Sequence, residues 1–277
     1  MFAPQLQQDL QTAVLKHLQF IPGKADLLHL DRLVGAYVRA VPWESAVRIV
    51  KRAAAEDWRS CARWPAEFWQ DNLQRGGGGT CFESNFAFSA LLHGLGFEGY
   101  LTINNMGDST GCHTAIIVLL DGQKWLVDAG FPIYAPLPVS ANGIMHRGTP
   151  FYRYTIRPQG DGRYQIERQP HPNWYAFTLI DRSVTLEEYR QATTADYGPG
   201  GHFLQRVIIH KILNEQSWRF TSSEDPPQFN RFDNGRKIDD FIEGDVASAV
   251  SAKFGIDEAT VRNALDLIPA AELEKMK

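Results

Sequence analysis

The sequence predicts an α+β protein in which helices come first, strands follow, and a mixed α/β segment closes the chain. Three observations predict this order. Apolar residues recur at helical spacing up to about residue 75, alternate between about residues 99 and 180, and return to helical spacing near the end. Hydrophobic residues make up 44% of the 277 positions, which is enough to bury a full core and excludes bulk disorder.

The first part of the chain is predicted to form several helices. A stripe of leucine and valine at four-residue spacing marks a first helix over residues 6–18. Asp26 is suited to cap a second helix, which Pro42 terminates. Residues 44–55 are predicted to form a short helix, and Pro65 opens another.

The middle of the chain carries the alternating pattern of β strands. Asp121-Gly122 and Gly160-Asp161-Gly162 are hairpin turn signals between pairs of strands. The segment is therefore antiparallel β structure, either a barrel or a sandwich. The predicted strands cover residues 99–105, 113–120, 124–127, 151–156, 164–168 and 174–180.

The last third combines helical signals with ambiguous segments. Thr185 begins a sequence that resembles a capping box, so a helix is expected there. Periodicity does not decide between strand and helix for residues 204–213. Residues 220–234 are polar and interrupted by proline and are predicted to be a loop, whereas residues 245–267 are predicted to close the chain as helices.

Charge and cysteine content limit the possible partners and location. Lys and Arg number 28 against 32 Asp and Glu, a net charge of −4 that gives no reason to expect nucleic acid. No run of about 18 apolar residues suggests a membrane span. Three cysteines and no secretory signal are typical of a protein in a reducing compartment, so we expect a cytoplasmic location without membrane partners.

Three residues are candidates for chemistry: Cys81, His113 and Asp128. Cys81 follows a run of four glycines at the first turn of a helix predicted over residues 82–95, with Thr80 as N-cap, and the positive helix end is expected to lower the thiol pKa. His113 begins a predicted strand and Asp128 ends the next, so hairpin pairing places them opposite each other. The carboxylate would hold the imidazole Nδ1–H, and the imidazole would take the thiol proton.

Each of these residues also has an ordinary structural interpretation. Cys81 fits a buried small hydrophobic residue, and His113 is one of eight histidines. Asp128 fits a turn former at the end of a strand. Composition and spacing alone therefore leave both a thiol triad and purely structural roles open.

Other patterns in the chain do not indicate cofactor binding. Residues 94–99 spell G-x-G-x-x-G, but they follow a helix and precede a strand, the reverse of a dinucleotide site. Cys112 belongs to neither a C-x-x-C nor an H-E-x-x-H pattern, so no metal is expected. The basic residues Arg48, Lys51 and Arg52 predict a solvated helix face rather than a phosphate site.

A series of short motifs occurs in order over nearly the whole chain. They are Val41-Pro42-Trp43-Glu44-Ser45, Cys81-Phe82-Glu83-Ser84-Asn85, His113-Thr114-Ala115-Ile116-Ile117-Val118, Asp128-Ala129-Gly130-Phe131 and Phe254-Gly255-Ile256. Together these motifs resemble those of the arylamine N-acetyltransferase family. That family has Arg-Gly-Gly-x-Cys-x-Glu-x-Asn around its nucleophile, a histidine opening an apolar strand, and an Asp-Val-Gly-Phe segment.

The resemblance implies a three-domain fold with a cysteine-protease-like core. Residues 1–97 would form a helical bundle that carries the nucleophile, residues 98–184 a β-barrel that carries the histidine and aspartate, and residues 185–277 an α/β lid. It also implies ping-pong chemistry, in which Cys81 attacks the thioester of acetyl-CoA with His113 as base. An arylamine or hydrazine then takes the acetyl group, so acetyl-CoA is a substrate and no cofactor is permanently bound.

Two departures from the family pattern concern the glycine loop and the segment around Glu44, where Trp43 and Ser45 stand in place of the family's usual Phe and Asn and affect the expected substrate preference. The family arginine lies four residues before the cysteine, but Gly77 occupies that position here and Arg75 lies six before. A pair between Arg75 and Glu44 would therefore require the loop to bulge. The resemblance implies an acceptor pocket lined by aromatic residues, for which the candidates are Trp43, Phe131 and Phe203.

Three alternatives compete with acetyl transfer. The first is an amide synthase that uses the same triad to release an acyl chain from an acyl carrier protein, as relatives of the family do. The second is a thiol hydrolase, which would release its product to water rather than to an amine. The third is a binding protein without catalysis, whose biological effect would survive replacement of Cys81.

Overall fold

The computed structural model describes residues 2–131, 133–171, 173–233 and 236–268. As predicted, Asp26 caps the second helix by accepting a hydrogen bond from the His29 backbone N–H, and Pro65 opens the fourth helix. The helix expected from residue 44 begins two residues later, because Trp43–Glu44 pairs as a short strand, β1. The helices of this first part are α1 (Gln8–His17), α2 (Leu27–Ala40), α3 (Ala46–Ala54), α4 (Pro65–Arg75) and α5 (Cys81–Gly94).

The predicted antiparallel segment forms a nearly closed eight-stranded barrel rather than a sandwich. Its strand order is β5-β4-β3-β2-β9-β8-β7-β6, and the two outer strands, β5 and β6, lie against each other. Helix α5 packs against β2 and β3. The strands are β2 (Glu98–Met106), β3 (Ser109–Leu120), β4 (Gln123–Val127), β5 (Leu137–Val139), β6 (Met145–Gly148), β7 (Arg153–Gly160), β8 (Arg163–Gln169) and β9 (Tyr175–Ile180).

The last third contains a helix, a second sheet and two closing helices. The predicted capping box is present, since the Thr185 hydroxyl accepts from the Glu188 backbone N–H and the Glu188 carboxylate accepts from that of Thr185. The elements are α6 (Leu186–Ala195), β10 (Ile208–Leu213), β11 (Gln216–Thr221), β12 (Gln228–Asp233), β13 (Arg236–Phe241), α7 (Val246–Phe254) and α8 (Glu258–Asp266).

The loop predicted over residues 220–234 is wrong, because β12 lies within it. This strand pairs with β11 on one side and β13 on the other, and β1 completes the sheet beside β10. Strands pair through backbone hydrogen bonds, which do not require apolar side chains. A polar strand beside a proline-rich turn, such as β12, therefore shows no clear strand pattern in the sequence.

The apolar interior is divided between two main clusters. One is shared by α1, α2, α4, α5 and the barrel, and the other lies between α3, the C-terminal sheet, α7 and α8. The division into domains at residues 97/98 and 184/185 stays a prediction. No helix of the described residues is both long and apolar enough to cross a membrane.

Candidate active site

Cys81 is the first residue of α5, and the glycine loop before it is held against the segment around Pro42. Gly76 ends α4 in the left-handed conformation, with φ of 66°. A Cβ at Gly78 would lie 1.7 Å from the Pro42 carbonyl oxygen, so only glycine allows this approach. The backbone of Gly79 forms a bridge with Trp43. These contacts fix the position of the thiol.

His113 and Asp128 form a buried pair, with Nε2 2.6 Å from Oδ2. They are not opposite each other as predicted. The register pairs Ile116 with Val127, and by continuation Asp128 falls beside Ala115, two residues from His113. An offset of two residues keeps both side chains on one face of the sheet, so they meet as diagonal neighbours.

The nitrogen that contacts Asp128 also differs from the prediction. We expected Nδ1, but the carboxylate meets Nε2, since a side chain two positions along the neighbouring strand reaches the tip of the ring. The hydrogen-bond partner assigns the hydrogen to Nε2. Nδ1 is then the nitrogen that can accept a proton.

Cys81 is docked on the two residues that flank His113. Its Sγ lies 3.7 Å from the Cys112 carbonyl oxygen, and the Thr114 hydroxyl donates to the Cys81 carbonyl oxygen at 3.0 Å. A Cβ at Gly130 would lie 2.2 Å from the Cys81 Cα, so the turn after Asp128 also touches the cysteine. The structure thus brings the three candidate residues into one buried cluster.

Asn85 holds the carboxylate of Asp128 in place. Its Nδ2 donates to Asp128 Oδ1 at 3.0 Å, and its Oδ1 accepts from the Ala129 backbone N–H at 2.9 Å. The backbone N–H groups of Gly130 and Phe131 also donate to Asp128 Oδ1. No role was predicted for Asn85 from the sequence, although its position four residues after Cys81 places it on the same helix face.

The pKa of the Cys81 thiol is raised, not lowered as expected from the helix end. Burial is the largest cause, and the carboxylates of Asp196 and Asp128 raise the pKa further. The backbone N–H of Thr114 and the charge of Arg48 act in the opposite direction. The thiol therefore needs a neighbouring base to remove its proton.

A buried network around Arg63 supports the glycine loop, and Arg75 is not part of it. Arg63 Nη2 donates to Glu83 Oε2 and to the Gly78 carbonyl oxygen, both at 2.6 Å. Glu44 Oε1 accepts from the Gly78 backbone N–H at 3.1 Å. Arg75 is exposed at the end of α4, so the bulge required for a pair between Arg75 and Glu44 does not arise.

The pKa values of the buried carboxyl groups of Glu83 and Glu44 shift in opposite directions. Burial disfavours the Glu83 carboxylate, but the charge and hydrogen bonds of Arg63 more than offset this, and the pKa of Glu83 is lowered. Burial raises the pKa of Glu44, since its hydrogen bonds and the charge of Arg63 do not compensate fully.

Thr80, expected as the N-cap of α5, occupies that position without a side-chain capping bond.

The three candidate pocket residues fall into two groups. The rings of Trp43 and Phe203 meet at right angles with centroids 5.0 Å apart. Phe131 lies with its ring 6.1 Å from that of His113, and Phe177 lies on the same imidazole at 4.6 Å. A cavity of about 190 Å³ between the residue 150–152 segment and strands β11 and β12 is lined by none of these residues, so the chemistry rather than cavity volume locates the site.

The basic residues of α3 are not a solvated face, which corrects our prediction. Arg48 is fully buried and its Nη2 pairs with Asp196 Oδ2 at 2.8 Å. Lys51 pairs with Glu67, and Arg52 donates to the Tyr197 carbonyl oxygen.

Within the described residues, no group of three or more His, Cys, Asp or Glu side chains is placed to hold a metal ion.

Similar proteins identify the family. The arylamine N-acetyltransferase of Escherichia coli is 25% identical over 199 residues, covering 66% of this chain and 68% of that protein. Arylamine N-acetyltransferase 1 of Oryctolagus cuniculus is 26% identical over 215 residues, covering 67% and 71%. A family model described as N-acetyltransferase matches residues 26–261. The chain belongs to the arylamine N-acetyltransferase family.

Solved arylamine N-acetyltransferases share the fold of this family member. The Salmonella typhimurium enzyme superposes with a TM-score of 0.76 at 19% identity, covering 94% of this chain and 99% of that one. The Mycobacterium marinum enzyme in complex with CoA gives 0.75 at 20% identity, covering 96% and 98%. A Bacillus cereus enzyme with a Cys-His-Glu triad gives 0.71 at 20% identity, covering 91% and 100%. Its membership of this family makes the protein an acetyltransferase.

Proposed function

We propose that this arylamine N-acetyltransferase moves an acetyl group from acetyl-CoA to an aromatic amine or hydrazine through a thioester on Cys81. The observation that carries the proposal is the buried His113–Asp128 pair at 2.6 Å, with Cys81 docked on both neighbours of His113. The CoA complex of the M. marinum relative supports CoA as the form in which the acyl donor binds.

In the first half-reaction, Nδ1 of His113 takes the proton from Cys81 Sγ. The thiolate attacks the thioester carbon of acetyl-CoA, and the bond from that carbon to the CoA sulfur breaks. The imidazolium returns the proton to the departing CoA thiolate. The backbone N–H of Cys81, at the start of α5, is the proposed donor to the oxyanion.

In the second half-reaction, the amine nitrogen attacks the acetyl carbon on Cys81. A C–N bond forms, the bond to Sγ breaks, and the proton lost by the nitrogen passes through His113 to the thiolate. The first half-reaction, by contrast, exchanges one thioester for another and is nearly isoenergetic, so in that step the enzyme chiefly supplies a formed thiolate. Asp128 stabilises the imidazolium in both steps and fixes the tautomer of the neutral imidazole.

We further propose that Trp43, Phe131 and Phe203 line the site that receives the aromatic amine. The contact of Phe131 with the His113 ring supports this position for one wall. The contact between Trp43 and Phe203 joins β1, beside the glycine loop, to the segment before β10, which supports their role as a second wall.

The alternatives to acetyl transfer have less support. Neither the E. coli nor the O. cuniculus relative is described as an amide synthase, so we do not extend the proposal to an acyl carrier protein. A hydrolase would turn over acetyl-CoA at full rate without an amine, whereas the proposed enzyme would stop after one acetyl transfer.

Intact mass spectrometry after mixing with acetyl-CoA and no amine tests the proposal. We expect a single added acetyl group, which disappears in Cys81→Ala and persists in the matched control Cys112→Ala. Addition of an aromatic amine should then discharge the acetyl group as an amide. No adduct on the wild-type protein, or an equal adduct on Cys81→Ala, would overturn the assignment of the nucleophile.

A further inference from the structure

Arg168 is a largely buried cation for which the described residues provide no counter-ion. It lies on β8, with its guanidinium carbon 4.4 Å from the ring centroid of Phe131 and 5.8 Å from that of Tyr152. Its Nε is buried and has no hydrogen-bond partner, and among the described residues no carboxylate pairs with it. Arginine is rarely buried without a partner, because the charge loses its hydration.

Among the described residues, two histidines and three tyrosines are the titratable groups that interact electrostatically with Arg168. Burial and then Arg168 lower the pKa of His171 to about 4 and that of His210 to about 3, so both rings are neutral near pH 7. The hydroxyls of Tyr152, Tyr154 and Tyr134 interact electrostatically with Arg168, and burial raises the pKa of each, so all three stay protonated near pH 7. The region is therefore electropositive and offers hydrogen-bond donors, which favours an anion.

Phe131 connects this cation to the active site. One face of its ring carries the Arg168 guanidinium, and its ring lies 6.1 Å from that of His113. A single aromatic ring thus separates the guanidinium from the imidazole. In 4-aminobenzoate a single aromatic ring likewise separates the amine from the carboxylate.

We propose that Arg168 is a specificity-determining residue that binds the carboxylate of an aromatic acceptor whose amine lies at the opposite end of the ring. This inference rests on the proposed function, since it assumes that the amine reacts near His113. The guanidinium would form a charge-assisted pair with the carboxylate, and the tyrosine hydroxyls would supply further donors. Phe131 would pack against the acceptor ring and orient it, with the amine toward His113 and the carboxylate toward Arg168.

The test compares acceptors and donors on wild-type enzyme, Arg168→Gln and the control Arg163→Gln, which changes an exposed arginine on the same strand. The acceptors are 4-aminobenzoate and its neutral analogue 4-aminobenzamide, with acetyl-CoA as donor. We expect Arg168→Gln to lower kcat/KM for 4-aminobenzoate by about 10- to 100-fold and for 4-aminobenzamide by less than about threefold, as loss of one charge-assisted pair predicts. Arg163→Gln should change neither.

Two measurements with different acyl donors distinguish the acceptor carboxylate from other anions that Arg168 could bind. The rate of Cys81 acetylation by acetyl-CoA without acceptor should be unchanged in Arg168→Gln; a slowed rate would assign Arg168 to the CoA phosphates. Turnover of succinyl-CoA with 4-aminobenzamide should also be unchanged; a selective loss would assign Arg168 to an anionic acyl group.

Equal losses for both acceptors would indicate a structural role and overturn the inference, as would a wild-type enzyme indifferent to the carboxylate. Absence of any acetyl adduct on wild-type Cys81 would instead reject the proposed function, so the two failures are distinguishable.

Discussion

Arg63 and Glu83 form an ion pair from which solvent is excluded on both sides, with Nη2 2.6 Å from Oε2. Glu83 lies in the first turn of the helix that Cys81 begins, and Arg63 also binds the carbonyl oxygen of Gly78. The pair therefore ties the nucleophile helix to the loop that precedes it.

Replacement of one partner should be costly to stability. Arg63→Met leaves the Glu83 carboxylate buried and uncompensated, so we expect the free energy of unfolding to fall by about 3–5 kcal/mol. Denaturant unfolding followed by circular dichroism measures the change. The control Arg262→Met breaks exposed pairs with Asp245 and Glu258 and should lower the free energy of unfolding far less, because solvent screens both pairs. Similar losses in both variants would show that the buried pair is not a special contributor.

Loss of the imidazole or the carboxylate should stop the first half-reaction while the fold remains. We expect His113→Gln and Asp128→Asn to slow acetylation of Cys81 by a factor on the order of 10³–10⁴, because the thiol then lacks an oriented base. Stopped-flow detection of CoA release measures the rate. His146→Gln, at an exposed histidine, serves as the control. A wild-type rate in either variant would remove that residue from the mechanism.

The charge of Asp196 should be visible in the titration of Cys81. This carboxylate raises the pKa of the thiol, so Asp196→Asn should lower it, and loss of the partner leaves Arg48 to act in the same direction. The pH profile of iodoacetamide alkylation should then shift to lower pH. The experiment uses a Cys61→Ser, Cys112→Ser background so that a single thiol reacts. An unchanged profile, or a shift to higher pH, contradicts the assigned effect of Asp196.

The contact between Gly130 and Cys81 should tolerate no side chain. A Cβ at Gly130 would lie 2.2 Å from the Cys81 Cα and 2.5 Å from its Cβ, and a backbone clash cannot be relieved by a rotamer change. We expect Gly130→Ala to slow acetylation of Cys81 by about 10²-fold, since displacements near 1 Å have effects of this size. Gly148→Ala, where no atom lies within 4 Å, is the control. Equal rates in the two variants would show that the turn can move without consequence.

The elements with strong local signals were predictable from the sequence. The capping box at Thr185, the cap at Asp26 and the turn at Asp121-Gly122 each depend on a few neighbouring residues, and all were found where expected. Strand β12 was missed because its neighbours in the sheet, rather than its own pattern, determine its conformation.

Parts of the site depend on long-range contacts that no local sequence pattern reveals. The register of β3 and β4 fixes which imidazole nitrogen meets Asp128, and a hairpin signal alone leaves an offset of two residues open. Arg63 lies 18 residues before Cys81 without a local motif, so the ion pair with Glu83 could be found only once the chain was folded. The raised pKa of Cys81 likewise follows from burial, which depends on all the surrounding elements.

Strand β1 joins the nucleophile loop to a part of the chain made much later. Trp43 pairs with His210 in the C-terminal sheet and also bridges to Gly79. During synthesis, Cys81 leaves the ribosome well before residues 208–213 exist. The nascent chain therefore carries its reactive sulfur before the sheet that supports the nucleophile loop is complete, and we expect enzymatic competence only after residues 208–213 have been synthesised.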